Sequence, residues 1–223
     1  ASLEYLKKDK GQKIRLFNSF LNARLTLSIL HSFSVSFKFS FPEDLALIEF
    51  NNEALHLLPP QIRALKTGAD LYDWACNQEE TIAKEIDAVL PTKEADLVGT
   101  DDFYALSLFT PGNVSYNKQP VLQRILVMVD DVHNLSANQR EYFLKKIVDK
   151  RSLVNIWVSE RFKALTMNEI FSEGNTLGRD ITNIEIENFW AEKSNYAKFE
   201  KFAKAVADKR VEMALLEDRR EFA

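Results

Sequence analysis

"RILVMVDDVHNLSANQREYF", Arg124–Phe143, is the stretch on which the reading of this chain turns. Ile125 to Val129 are apolar without alternation, as in a strand covered on both faces at the centre of an α/β sheet. Asp130 and Asp131 follow at its carboxyl end, the edge where ligands sit in such sheets. Ser136 and Gln139 then make an S-x-x-Q capping box, whose side chains can satisfy the free amides of a starting helix. Phe143, Leu144, Ile147 and Val148 are spaced to pack that helix back onto the sheet, leaving Arg140, Glu141, Lys145 and Lys146 outside.

Working outward, the next elements continue the alternation. The spacing predicts a helix over 136–150, a strand over 153–159, short helical pieces near 166–172 and a strand at 182–187, the sign of a parallel sheet with crossover helices. Upstream, residues 13–33 predict an apolar helix in which Ile14, Phe17, Leu21 and Leu25 share a stripe. "SVSFKFSF" (Ser34–Phe41) alternates, so Val35, Phe37, Phe39 and Phe41 would share one face of a strand, unless the helix runs on. Pro42 stops either element. Leu45–Asn51 is a second short strand. After the Pro59–Pro60 break, a helix from Asp70 towards Pro91 carries Leu71, Trp74, Ile82, Ile86 and Val89. "PGN" at Pro111–Asn113 is a turn. From Asn188 the chain is charged and helical, and the stripe of Tyr196, Phe199, Ala203 and Val206 implies packing on something. The expected fold is α/β: a parallel sheet with flanking helices over residues 1–187, then a helical C-terminal extension over 188–223.

The bulk properties narrow the function classes. The 223 residues are 46% hydrophobic and 28% charged, the balance of an ordinary globular protein able to bury a core. A net charge of −4 argues against whole-surface attraction to nucleic acid. The single cysteine, Cys76, excludes an internal disulfide and a cysteine-rich metal site, and suits a reducing, cytoplasmic setting. His31, His56 and His133 lack metal-ligand spacing. No run approaches the ~18 apolar residues of a membrane span.

An apolar strand ending in two acids is the Walker B pattern of nucleoside triphosphatases. There a carboxylate at the sheet edge supports Mg²⁺ beside the β- and γ-phosphates, and a neighbouring acid polarises the attacking water. Asp130 takes the metal-supporting position and Asp131 the second, although Asp is one methylene shorter than the Glu that many such enzymes use. The following strand, "LVNIWVSERF", delivers Ser159, Glu160 and Arg161 to the same edge. Ser159 stands best for a polar sensor, with Glu160 or Arg161 as alternatives; a routine polar strand end is the plainer reading. His133 reads as a turn histidine. Ser/His/Asp catalysis has no support, because no G-x-S-x-G elbow is present. A Mg²⁺-dependent nuclease would need further acids than Glu160.

The stretches "ILVMVDDVHNLSANQREYFLKKIVDKRSLVNIWVSERFKAL" and "SEGNTLGRDITNIEIENFW" resemble bacterial ATPases related to the origin-recognition-type AAA+ group, over about residues 120–190. The resemblance implies ATP and Mg²⁺ as cofactors, and a nucleotide-driven switch or motor. It also implies an oligomer or protein partner subunits, with DNA as a further partner and defence against mobile elements as one setting. By position it assigns Asp130 to the metal, and Asp130, Asp131 and Arg161 to the nucleotide. Asp131, Ser159 and Arg179 take catalytic roles, Arg179 of "LGRD" as an arginine finger or, more plainly, a loop arginine paired with Asp180.

One part of the pattern is missing. No G-x-x-x-x-G-K-[ST] occurs in the 223 residues, and "LKTGAD" (Leu65–Asp70) has its Lys and Thr ahead of its glycine, so it cannot form an amide cradle for phosphates. Two expectations compete: the chain starts just after a P-loop, with Lys7–Lys13 near it, or the fold is a degenerate, non-catalytic interaction module.

Overall fold

The computed structural model describes residues 10–51, 58–87, 103–121, 125–149, 154–161 and 186–221. The chain divides into two compact units, Ala1–Glu173 and Gly174–Ala223. Both strands and helices are present, helices predominating.

In the first unit, helix α1 spans Lys10–Phe37. The alternating stretch that could have made a strand is therefore helix through Phe37, with a turn beyond it. Its aromatic residues still go inward: Phe37 and Phe39 stack on Tyr116, and Phe41 meets Tyr72 edge-on. A 3₁₀ turn at Leu45–Leu47 leads into β1 (Ile48–Phe50), then α2 (Pro60–Ala64) and α3 (Gly68–Asp87). Helix α3 opens with a reciprocal cap. Asp70 Oδ2 accepts the amides of Lys66 and Thr67, while Thr67 Oγ1 accepts that of Asp70. Gly68 is required by close approach, because a Cβ there would lie 2.6 Å from the Leu45 carbonyl oxygen.

Helices α1 and α3 pack along their lengths, with Arg24 paired to Glu79 at 3.0 Å. The buried face of α1 keeps Phe17, with Leu21 and Leu25 half-buried against the core, but is wider than the expected Ile14–Phe17–Leu21–Leu25 stripe. It includes Leu16, Phe17, Ala23 and Leu30 but also Asn18, Ser19, Asn22 and Thr26. Asn22 shows why: its Oδ1 accepts the backbone N–H groups of both Tyr104 and Ala105 at 3.0 Å. It thereby satisfies the start of the short helix α4 (Ala105–Leu108) from across the core. Strands β2 (Val114–Tyr116) and β3 (Gln119–Pro120) join β1, which falls within the expected strand Leu45–Asn51, in an antiparallel sheet of order β1-β2-β3; β2 and β3 have no counterpart in the sequence reading.

Strands β4 (Leu126–Val129) and β5 (Asn155–Val158) pair in parallel, joined through helix α5 (Ala137–Asp149). The alternating βαβ segment is thus present at its expected place. The coverage differs. Val127 is buried and Val129 half-buried, but Leu126, Met128 and Trp157 are exposed on the opposite face. Within the described residues, then, one face of this pair packs on the core and the other is open.

In the second unit, α6 (Ile186–Ala191) leads through a 3₁₀ turn at Lys193–Asn195 into α7 (Tyr196–Glu221). Ile186 and Glu187 are helical, which corrects the expected strand over 182–187; its remaining residues, and the pieces near 166–172, lie outside the described residues. Trp190 stacks on Phe202 at 5.6 Å and tilts against Phe199. The stripe expected to pack is open, with Tyr196, Phe199, Ala203 and Val206 all exposed. Among the described residues no helix is long and apolar enough to cross a membrane.

Candidate functional site

The carboxyl ends of β4 and β5 lie side by side because Val129 pairs with Val158. The chain beyond each strand is then tied to the other. Ser159 donates its backbone N–H to the Val129 carbonyl at 2.9 Å, and Val132 donates to the Ser159 carbonyl at 3.1 Å. A 3₁₀ turn at Val132–Asn134 follows, held from below by Val132, which is buried with Leu16, Phe17, Ile82 and Phe143. Sinking Val132 into that cluster pushes its neighbours Asp130 and Asp131 to the surface, where both are exposed.

The Ser159 hydroxyl donates to Asp130 Oδ1, which also accepts the Asp131 amide at 2.8 Å. These two bonds, the hydroxyl's first, hold the Asp130 carboxyl below its ordinary range and favour the charged form. Asp131 has φ 56° and ψ 36°, a left-handed conformation that Asp tolerates better than most residues but that still costs about 1 kcal/mol or more. The capping box expected from sequence is formed: Ser136 N–H to Gln139 Oε1 and Gln139 N–H to Ser136 Oγ, both 3.3 Å.

His133, half-buried, lies with Nδ1 3.7 Å from Asp131 Oδ1 and 3.3 Å from the Arg161 amide nitrogen, which donates to it. It is therefore part of the cluster and not simply a solvent-facing turn residue. Arg161 is brought to the same edge and is exposed. Arg140 is not on the outside of α5 as expected. It is buried and forms a fork with Glu160, Nε to Oε1 at 2.5 Å and Nη2 to Oε2 at 2.7 Å. Glu160 is thus occupied by an arginine, unlike the sensor or additional metal acid the sequence left open. Arg179, Lys7 and Lys8 lie outside the described residues.

The donor set suits a hard cation brought in with other oxygen ligands. Asp130, Asp131 and Ser159 supply two exposed carboxylates and a hydroxyl. Among the described residues there is no group of three or more His, Cys, Asp or Glu able to hold a metal by itself. A cation held here would need further oxygen ligands from outside this set. Two cavities, of about 210 and 470 Å³, open beside Glu49–Asn51 and Gly112–Ser115 and between Leu27–Ser32 and Tyr72–Cys76; neither is lined by the strand-end residues. No protein-family profile, curated protein or solved structure matches this chain.

Proposed function

We propose that this chain carries the metal- and water-handling half of a Mg²⁺-dependent nucleoside triphosphatase site, in a nucleotide-driven switch or motor of the AAA+ kind. The observation that supports it is the convergence of Asp130, Asp131 and Ser159 at the carboxyl ends of two adjacent parallel strands. Asp130, kept charged, would support Mg²⁺, whose chemistry is to neutralise charge on the phosphate oxygens. Asp131 would orient and polarise water, and Ser159 would report on whether Asp130 is engaged. Arg161 would meet phosphate charge, and Arg179 would serve a neighbouring subunit's site, an assignment that rests on the resemblance. An oligomer or partner subunits, and DNA, belong to the same proposal.

The test is ATP hydrolysis with Mg²⁺ by the protein in its natural length. Asp130→Ala is expected to lower turnover at least ~100-fold while leaving the fold intact. Turnover equal to that of the unaltered protein would remove the assignment. One observation favours a second reading, a non-catalytic interaction module: the 223 residues contain no glycine-rich lysine loop to cradle phosphates. Calorimetry on the natural protein decides between them, since the module would bind no nucleotide and would instead form a stable hetero-complex.

A further inference from the structure

Beyond the end of β5 the alternation of the strand persists for three residues. Ile156 and Val158 are half-buried, Trp157 and Ser159 exposed, Glu160 half-buried and Arg161 exposed. Glu160 therefore points to the side on which the apolar residues pack, a poor place for a carboxylate without a partner. Arg140 is that partner. The side chains of the pair are only 8% and 19% exposed, and the fork fixes the direction of the carboxylate as well as its charge. Arg140 is itself held in place, its amide bonded to the Ser136 carbonyl at 2.8 Å in the first turn of α5.

Because side chains along an extended chain alternate, a Glu160 that turned outward would carry Ser159 away from Asp130. We infer that Arg140 and Glu160 are positioning residues of the strand-end site: their fork anchors the exit of β5 to the start of α5 and so presents the Ser159 hydroxyl to Asp130. The consequence for metal binding rests on the function proposed above; the anchoring itself does not. An exposed ion pair of ordinary kind would contribute little. This one is set apart by its burial, its two-point geometry and its place next to Ser159.

The test uses the full chain without nucleotide. Arg140→Met is expected to speed amide exchange at Val132 and Ser159 by about tenfold, with the amides of α1 and α3 unchanged. Arg140→Lys, which keeps charge but loses the fork, should have an intermediate effect if the methionine variant fails to fold. The exchanged pair Arg140→Glu with Glu160→Arg should restore much of the protection. Mn²⁺ alone, followed by water proton relaxation, should bind about tenfold more weakly to Arg140→Met than to the unaltered chain. Unchanged exchange at Val132 and Ser159, or acceleration spread evenly over α1 and α3, would overturn the inference. If the unaltered chain binds no Mn²⁺, the metal reading falls while the exchange measurement still decides the anchoring.

Discussion

The aromatic core around α1, α3 and α4 and the strand-end cluster of β4 and β5 lie in one unit but follow opposite rules. In the core, Leu30, Phe103, Leu106, Leu108 and Phe109 are almost wholly buried, and even the polar Asn22 is inside with its acceptor used twice. At the strand ends a single buried apolar residue, Val132, holds a turn whose acids face water, one of them in a left-handed conformation. The first arrangement gains stability chiefly from buried apolar side chains. The second places charge and backbone strain together at a turn held by hydrogen bonds and the Arg140–Glu160 fork more than by apolar packing. If that contrast is right, substitutions in the two regions should separate into those that unfold the chain and those that disarm it.

The largest effect should come from the core. Phe109 is in ring contact with Phe33 at 5.9 Å and Phe50 at 5.5 Å, so Phe109→Ala removes an entire ring from a closed cluster. A loss of about 3–5 kcal/mol in urea unfolding is expected. A loss under about 1 kcal/mol would mean that the core is looser than its burial indicates.

Asn22 sharpens the same side of the contrast. Asn22→Leu keeps size and gains apolar character, yet it strands the amides of Tyr104 and Ala105. About 1–3 kcal/mol per lost partner sets the scale for a buried donor left without one. A variant as stable as the parent would show that those amides find other acceptors. The position also shows where sequence reading ran out. Apolar spacing located α1 and α3 as elements and part of the buried face of α1, but not its polar members, because an asparagine that serves a backbone 82 residues away looks polar, and therefore exposed, when only its neighbours are considered. Of the β1-β2-β3 sheet only β1 was legible, within the run Leu45–Asn51; β2 and β3, of three and two residues, have too few side chains to show a period.

The strand-end region was more legible. The uninterrupted apolar run, the adjacent acids and the S-x-x-Q box are local signals, and β4, the turn and α5 fall where those signals put them. What local signals could not reveal was the pairing of Arg140 with Glu160, across 20 residues, or the open face of Leu126, Met128 and Trp157, since a run of apolar residues does not say what covers it. The capping box gives a calibrated intermediate effect. Ser136→Ala should lower stability by about 1 kcal/mol, as for other lost N-caps. It should leave α1–α3 amide protection in proportion to the global change only; selective opening of that helix pair would mean that α5 supports it more than the contacts of Phe143 suggest.

The smallest effect on stability is the most informative about chemistry. Asp130 is fully exposed and its bond to Ser159 is screened by water, so Ser159→Ala should lower the urea midpoint at neutral pH only slightly. Its signature lies in titration. The Asp130 carboxyl is depressed in the folded chain, first by the Ser159 hydroxyl and then by the Asp131 amide. A depressed folded value means that the folded state holds its proton less tightly than the unfolded one. The bond's contribution is therefore present above the unfolded carboxyl range near 3.8, and is lost as pH falls through the lower folded value. Removing the hydroxyl should move the titration upward towards the ordinary value, as read from the Asp130 side-chain carbon by NMR. An Asp130 titration that ignores Ser159→Ala would mean that the hydroxyl does not hold the carboxylate in solution. The contrast between a stabilising core and a charged, poised strand end would then lose its second half.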